Sequence, residues 1–160
     1  MKVLVAYGQT AEGEDRSSQF AGLRTLLAGQ KGISTEWLRL PVSEFSMDEL
    51  LSLRLLPVGK MADALLALDL TATLLDHPRK IALLLGEPNA PELSAQAQAA
   101  LMRGLSESEL VLVRDGEPRP ALSSASAKRV IRFDAADFSK ADAPRTPGAG
   151  TKKLLKALAS

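Results

Sequence analysis

Short apolar runs alternate with stretches of helical periodicity over more than 100 residues of this chain, and that alternation limits the fold more than any other feature. VLVAY (3–7) is a continuous apolar run, the pattern of a strand buried on both faces. After the polar loop GQTAEGED, the segment RSSQFAGLRTLLAG sets Phe20, Leu23, Leu26 and Leu27 on one face of a helix over 16–28, with Gly29 as its stop. ISTEWLRL alternates apolar and polar residues as a second strand, ended by Pro41. SMDELLSLRLL (46–56) predicts the next helix. Ser46 is its N-cap, Asp48 and Glu49 suit the positive end of the dipole, and Pro57 and Gly59 close it. Four further strands are predicted at ADALLAL (62–68), RKIALLL (79–85), ELVLVRD (109–115) and KRVIRF (128–133). Between them, LTATLLD predicts a brief helix or turn, and PELSAQAQAALMRG a helix ending at Gly104. Pro118 and Pro120 open a short helix reaching Ala127.

This order of elements predicts an α/β fold: a Rossmann-like, doubly wound, mostly parallel sheet of about six strands with helices on both faces. Residues 1–133 form the Rossmann-like domain, 134–150 a linker rich in Pro, Gly and Ala, and 151–160 a basic amphipathic terminal helix. That helix carries Leu154, Leu155 and Leu158 on one face and Thr151 as its cap, and packs on this domain or on a partner. Right-handed crossovers gather the loops that follow strands at one sheet edge. Ligand-binding residues are therefore expected at Gly8, Gln9, Thr10, Gly13 and Glu14, at Gly86 and Glu87, and at Asp115.

Composition excludes several chemistries. There is no cysteine, which removes disulfides, thiolate nucleophiles, Fe–S clusters and cysteine-based zinc sites together and suits a cytoplasmic protein. The single histidine, His77, has no HxH or HExxH companion, so no metal site is expected; no GxSxG elbow supplies a serine nucleophile. His77 precedes the fourth strand, at the edge away from the predicted cleft, and a structural role is favoured for it. The net charge of +1 predicts no general attraction to nucleic acid. It is unevenly spread: residues 140–160 hold five basic residues against Asp142 alone. MKVLVAYG is too short an apolar run for a signal peptide, and no run reaches the roughly 18–20 residues that span a bilayer. No cofactor is expected. The first loop lacks the GxGxxG and Walker spacings, and its acids would repel an anion, so it reads as a solvated loop rather than a phosphate cradle. VLVAYGQT is similar to the start of flavodoxins, but Ala11, Glu12, Glu14 and Asp15 stand where a flavin-phosphate loop is rich in Ser, Thr and Gly.

The stretch 55–86, LLPVGKMADALLALDLTATLLDHPRKIALLLG, resembles a segment of the N-terminal lobe of GT-B-fold glycosyltransferases. There an aspartate-aliphatic strand is followed by a short helix, then a His-Pro-Arg/Asn-Lys turn entering an aliphatic strand. The corresponding residues are Ala62–Leu66, Leu70–Leu75, His77-Pro78-Arg79-Lys80 and Ile81–Leu85. The opening strand, loop and helix also resemble that lobe, with Gly13-Glu14-Asp15-Arg16 matching its glycine-rich turn in part. The chain departs from the family in two respects. Gly86-Glu87 stands where those enzymes often keep a histidine beside the sugar donor, and the donor-binding lobe with its E-x7-E carboxylates is missing. Glu36…Glu44 and Glu109…Glu117 repeat the spacing, but in the wrong lobe.

The resemblance implies a reduced glycosyltransferase-like lobe, not catalytic alone, that binds an acceptor or a partner subunit. No catalytic residue is assigned. A protein partner or homo-oligomer is expected, with a glycan or protein as possible acceptor. The alternatives are a non-enzymatic assembly module on the same fold and a flavodoxin-like cofactor binder.

Overall fold

Six strands, β1 (Lys2–Gly8), β2 (Ser34–Leu40), β3 (Ala64–Ala67), β4 (Lys80–Leu84), β5 (Leu110–Arg114) and β6 (Val130–Phe133), form one sheet in the order β2-β1-β3-β4-β5-β6. Every neighbouring pair is parallel. The computed structural model describes residues 1–8, 20–40, 46–84, 95–114, 130–133 and 149–159. The helix expected over 118–127, most of the 134–150 linker and the start of the helix expected over 16–28 lie outside them. The doubly wound α/β sheet of about six strands read from the sequence is the observed architecture. Its order is the 2-1-3-4-5 of flavodoxin-like sheets with one strand added.

The strands are central because their side chains are apolar on both sides. In β1, Val3, Val5 and Tyr7 face one layer, while Leu4 and Ala6 face the other. On the first side lie α1 (Ala21–Ala28) and α4 (Ala149–Ala159), with Phe20, Leu23, Leu27, Leu154 and Leu158 buried against Leu66, Ile81 and Leu112. On the second lie α2 (Met47–Arg54) and α3 (Ala95–Ser106), with Leu50, Leu53 and Leu101 against Leu65 and Ala67. Ser46 caps α2 as expected. Its hydroxyl accepts from the Glu49 N–H, and the Glu49 carboxylate accepts from the Ser46 N–H, a complete capping box.

Two expectations at helix ends are corrected. Thr151 is not a cap: α4 begins at Ala149, and Thr151 lies inside it, fully buried on the face that also carries Leu154 and Leu158. That helix packs into the same core as α1, so it belongs to this domain. Gly104 does not stop α3, which runs on to Ser106. Its glycine serves packing instead. A Cβ there would lie 2.7 Å from the Thr73 carbonyl oxygen, in the short 3-10 helix Ala72–Leu74 beneath α3. Backbone on both sides of that contact leaves no flexible atom to yield. Gly104→Ala is therefore expected to lower stability by about 1–3 kcal/mol through overpacking, despite a helix-propensity gain of about 1 kcal/mol. Urea unfolding checks this; an unchanged or raised midpoint would mean the two helices separate freely.

Candidate functional site

In a wholly parallel sheet all strand carboxyl ends share one edge, here Gly8, Leu40, Ala67, Leu84, Arg114 and Phe133. The chain leaves β1 for β2 on one side and returns to β3 on the other, so the strand order reverses beside β1. Doubly wound sheets bind ligands in the crevice outside such a reversal. The residues there are Gly8, Asp69 and Thr71. Asp69 is 1% exposed, and its carboxylate accepts two backbone hydrogen bonds: from the Gly8 N–H at 2.7 Å and from the Ala72 N–H at 2.9 Å. One oxygen thus anchors the end of β1, and the other caps the turn after β3. A Cβ at Gly8 would lie 3.2 Å from Thr71 Cβ, so the glycine keeps the two segments in contact.

Of the residues expected to bind a ligand, Gly8 lies at this reversal. Gln9, Thr10, Gly13, Glu14, Gly86, Glu87 and Asp115 lie outside the described residues. The sequence places the loop 69–71 at this edge but does not single out Asp69 within it. Its signal was present, as a lone acid ending an apolar strand three residues before a helical turn, which is the spacing of a side-chain cap. Beneath the edge on the α1 side, Tyr7, Phe20 and Trp37 pack with ring centroids 5.1–6.5 Å apart, and the Arg24 guanidinium sits 4.1 Å above the Trp37 ring.

The opposite, amino edge holds Asp63, His77, Arg79 and Lys80, and each of them contacts backbone. Asp63 clasps the start of β1: its carboxylate accepts from the Lys2 N–H at 2.8 Å, and its own N–H donates to the Lys2 carbonyl at 2.8 Å. The buried His77 bridges two segments, with Nε2 2.9 Å from the Ala62 carbonyl and Nδ1 accepting from the Arg79 N–H at 2.9 Å. That pairing fixes the neutral tautomer with its proton on Nε2. Arg79 donates to the Ala157 carbonyl at 2.9 Å, placing a cation at the carboxyl end of α4. Lys80, 1% exposed, turns its ammonium under the 3-10 helix and donates to the Thr73 carbonyl at 2.6 Å and the Leu75 carbonyl at 3.3 Å.

Lys80 is also 3.6 Å from Glu107, which receives a two-pronged hydrogen bond from Arg54 at 3.1 Å. Burial pushes the Lys80 ammonium below its ordinary range, and Glu107 opposes that shift without cancelling it. Burial pushes the Glu107 carboxyl up, but Arg54 and then Lys80 outweigh it, and the net direction is down. This trio ties α2, β4 and the end of α3 together.

Glu36, one of the acids with E-x7-E spacing, pairs with Lys2 at 2.7 Å with both side chains about half exposed. Among the described residues no three His, Cys, Asp or Glu side chains gather in a way that could hold a metal ion, and no helix is long and apolar enough to cross a membrane. No protein-family model, curated protein or solved structure matches the chain.

Proposed function

We propose that the chain is a reduced lobe of the glycosyltransferase type that binds an acceptor or a partner subunit at its carboxyl edge and does not catalyse transfer alone. One observation carries the reading. The segment of strongest resemblance has the corresponding order of strand, short helix, turn and adjacent parallel strand, and Asp63, His77, Arg79 and Lys80 all serve to join backbone segments at the amino edge. The motif marks an architecture and leaves the carboxyl edge to the ligand.

At that edge, the described carboxylate nearest the reversal, Asp69, is spent on two backbone donors. Transfer from a nucleotide-sugar needs groups that stabilise the leaving diphosphate, and the reading assigns these to a second lobe. The strand order is also that of flavodoxin-like sheets, but order carries no chemistry by itself. Four exposed apolar residues on and after α2 favour assembly as a second reading.

The test has two arms. The purified chain should release no nucleoside diphosphate from UDP- or GDP-sugars, whereas a complex isolated from native lysate should do so. Amide shifts on titration with free mono- and disaccharides should concentrate at Gly8 and Gly86. If the complex lacks turnover and no saccharide shifts an amide, the reading fails.

A further inference from the structure

Thr151 is completely buried, and its hydroxyl has no hydrogen-bond partner among the described residues. A threonine inside a helix ordinarily turns its hydroxyl to a carbonyl of the preceding turn. This one does not. A hydroxyl buried without a partner carries the full cost of its desolvation, and valine would fill the same space without that cost. The group therefore calls for a partner that the described fold does not supply.

The position of Thr151 in α4 says where that partner sits. The last turn of α4 lies at the amino edge of the sheet. Arg79, which precedes β4, bonds the Ala157 carbonyl there, and Leu158 and Ala159 share a hollow with Met1 and Ile33, which precede β1 and β2. The eleven residues of α4 rise about 16 Å, as far as the five residues of β5 extend. The first turn of α4 thus reaches the carboxyl edge, where doubly wound sheets bind ligands. The Cα–Cβ bond of a helical residue tilts toward the amino terminus, so the hydroxyl of Thr151, third residue of α4, is aimed into that first turn. The N–H groups of the same turn, from Ala149 to Thr151, have no acceptor within the helix.

The charges of this stretch favour an anion. α4 has no acidic residue in its first turn, whereas α2 opens with Asp48 and Glu49. Lys152 and Lys153 follow Thr151, both exposed and neither in an ion pair among the described residues. Cations at the positive end of a helix dipole are unfavourable in themselves, and an anion bound there turns the same charges to advantage. Free N–H groups, a hydroxyl and two ammonium groups at a helix amino terminus are the donors that recognise phosphate.

We propose that the amino end of α4 binds a phosphate group, with Thr151 Oγ1 donating to one oxygen and the N–H groups of the first turn donating to the others. The recognition is the same whether the phosphate is free or carried by a sugar or a nucleoside. It does not depend on the glycosyltransferase relationship, and the two are read separately: a phosphate at Gly150 and Thr151, a phosphate-free saccharide at Gly8.

Amide spectra of the full chain test this, with titrations at constant ionic strength of inorganic phosphate, glucose 1-phosphate and adenosine monophosphate. The Gly150 and Thr151 amides should shift and saturate, with a Kd for inorganic phosphate on the order of 1 mM. A carrier that binds at least about tenfold tighter than inorganic phosphate identifies the class of ligand, and equal affinities identify free phosphate. T151V keeps the shape of the side chain. Without phosphate it should melt at or above the native temperature, yet its affinity should fall about tenfold, as expected for the loss of a hydrogen bond to a charged group. T151S restores the hydroxyl and should stay within about threefold of the native chain. The absence of a saturating shift at Gly150 and Thr151 with all three compounds overturns the proposal. So does a T151V chain that binds phosphate as the native chain does.

Discussion

Asp69→Ala is expected to destabilise the protein by about 3–4 kcal/mol, more than most single substitutions. The reason is local and countable. The carboxylate accepts the Gly8 and Ala72 N–H groups at 2.7 and 2.9 Å while only 1% exposed. Alanine removes an ionised acceptor shared by two buried donors. Each such bond contributes about 1.5–3 kcal/mol, and the donors left behind carry their own desolvation cost. Asp69→Asn should fall between, because an amide presents one oxygen and turns an N–H₂ toward the second donor. Chemical denaturation gives the ordering wild type, Asn, Ala. Amide exchange should locate the loss, with protection falling first at Gly8 and Ala72. An alanine variant within about 0.5 kcal/mol of wild type would mean that the brace between β1 and β3 is redundant. Because Gly8 begins the first loop, the same variant should also lose any saccharide-induced shift at that residue.

Much of this architecture was legible in the sequence because burial on both sheet faces leaves a simple trace. VLVAY and IALLL are short continuous apolar runs of the kind interior strands show, and Phe20, Leu23 and Leu27 have the spacing of a helix laid on them. The Ser46 cap was legible for a similar reason, since a capping box is a contact between near neighbours in sequence. What escaped were contacts between residues distant in sequence. Gly104 looks like a helix stop because glycine usually is one; only the approach of Thr73 shows that the glycine makes room for a carbonyl. Asp69 looks like an interruption of an apolar stretch, and only the return of β3 beside β1 supplies its second donor. Of the ligand residues expected at the carboxyl edge, Gly8 is placed at the strand-order reversal. Parallel pairing settles which edge the loops leave from, whereas loop sequence alone does not determine how their side chains converge. The HPRK turn was read as a marker of architecture with His77 in a structural role. The hydrogen bonds of His77, Arg79 and Lys80 give that role its physical content.

Lys80 carries the other large effect. It is a wholly buried lysine at the start of a core strand, and its ammonium is held by two carbonyls at the end of the 3-10 helix. Lys80→Met keeps the length and the apolar stem but removes the donor, leaving the Thr73 and Leu75 carbonyls without it. The expected loss at neutral pH is about 2–3 kcal/mol. Glu107 moderates it, because this acid is about one-third exposed and keeps its two-pronged bond to Arg54. The pH dependence separates the role of the charge from that of the packing. Burial lowers the Lys80 pKa below 10.5, with Glu107, Arg54 and Asp76 the charged groups acting on it. Between that lowered value and 10.5 the unfolded chain binds more protons than the folded one, so this group makes stability rise with pH. Below that window the ammonium is charged in both states, its burial cost is fully present, and the slope vanishes. The stability advantage of wild type over Lys80→Met should therefore widen as pH climbs toward 10.5. Glu107 governs the acid side with the opposite origin. Its folded pKa is depressed below 4.5, so its contribution is present above that value and disappears as pH falls through the lowered one. Glu107→Gln should flatten the acid limb and leave the alkaline rise in place. If the wild-type advantage over Lys80→Met narrowed as pH rose, the ammonium would be better accommodated in the fold than in water, and burial could not be the dominant influence on Lys80.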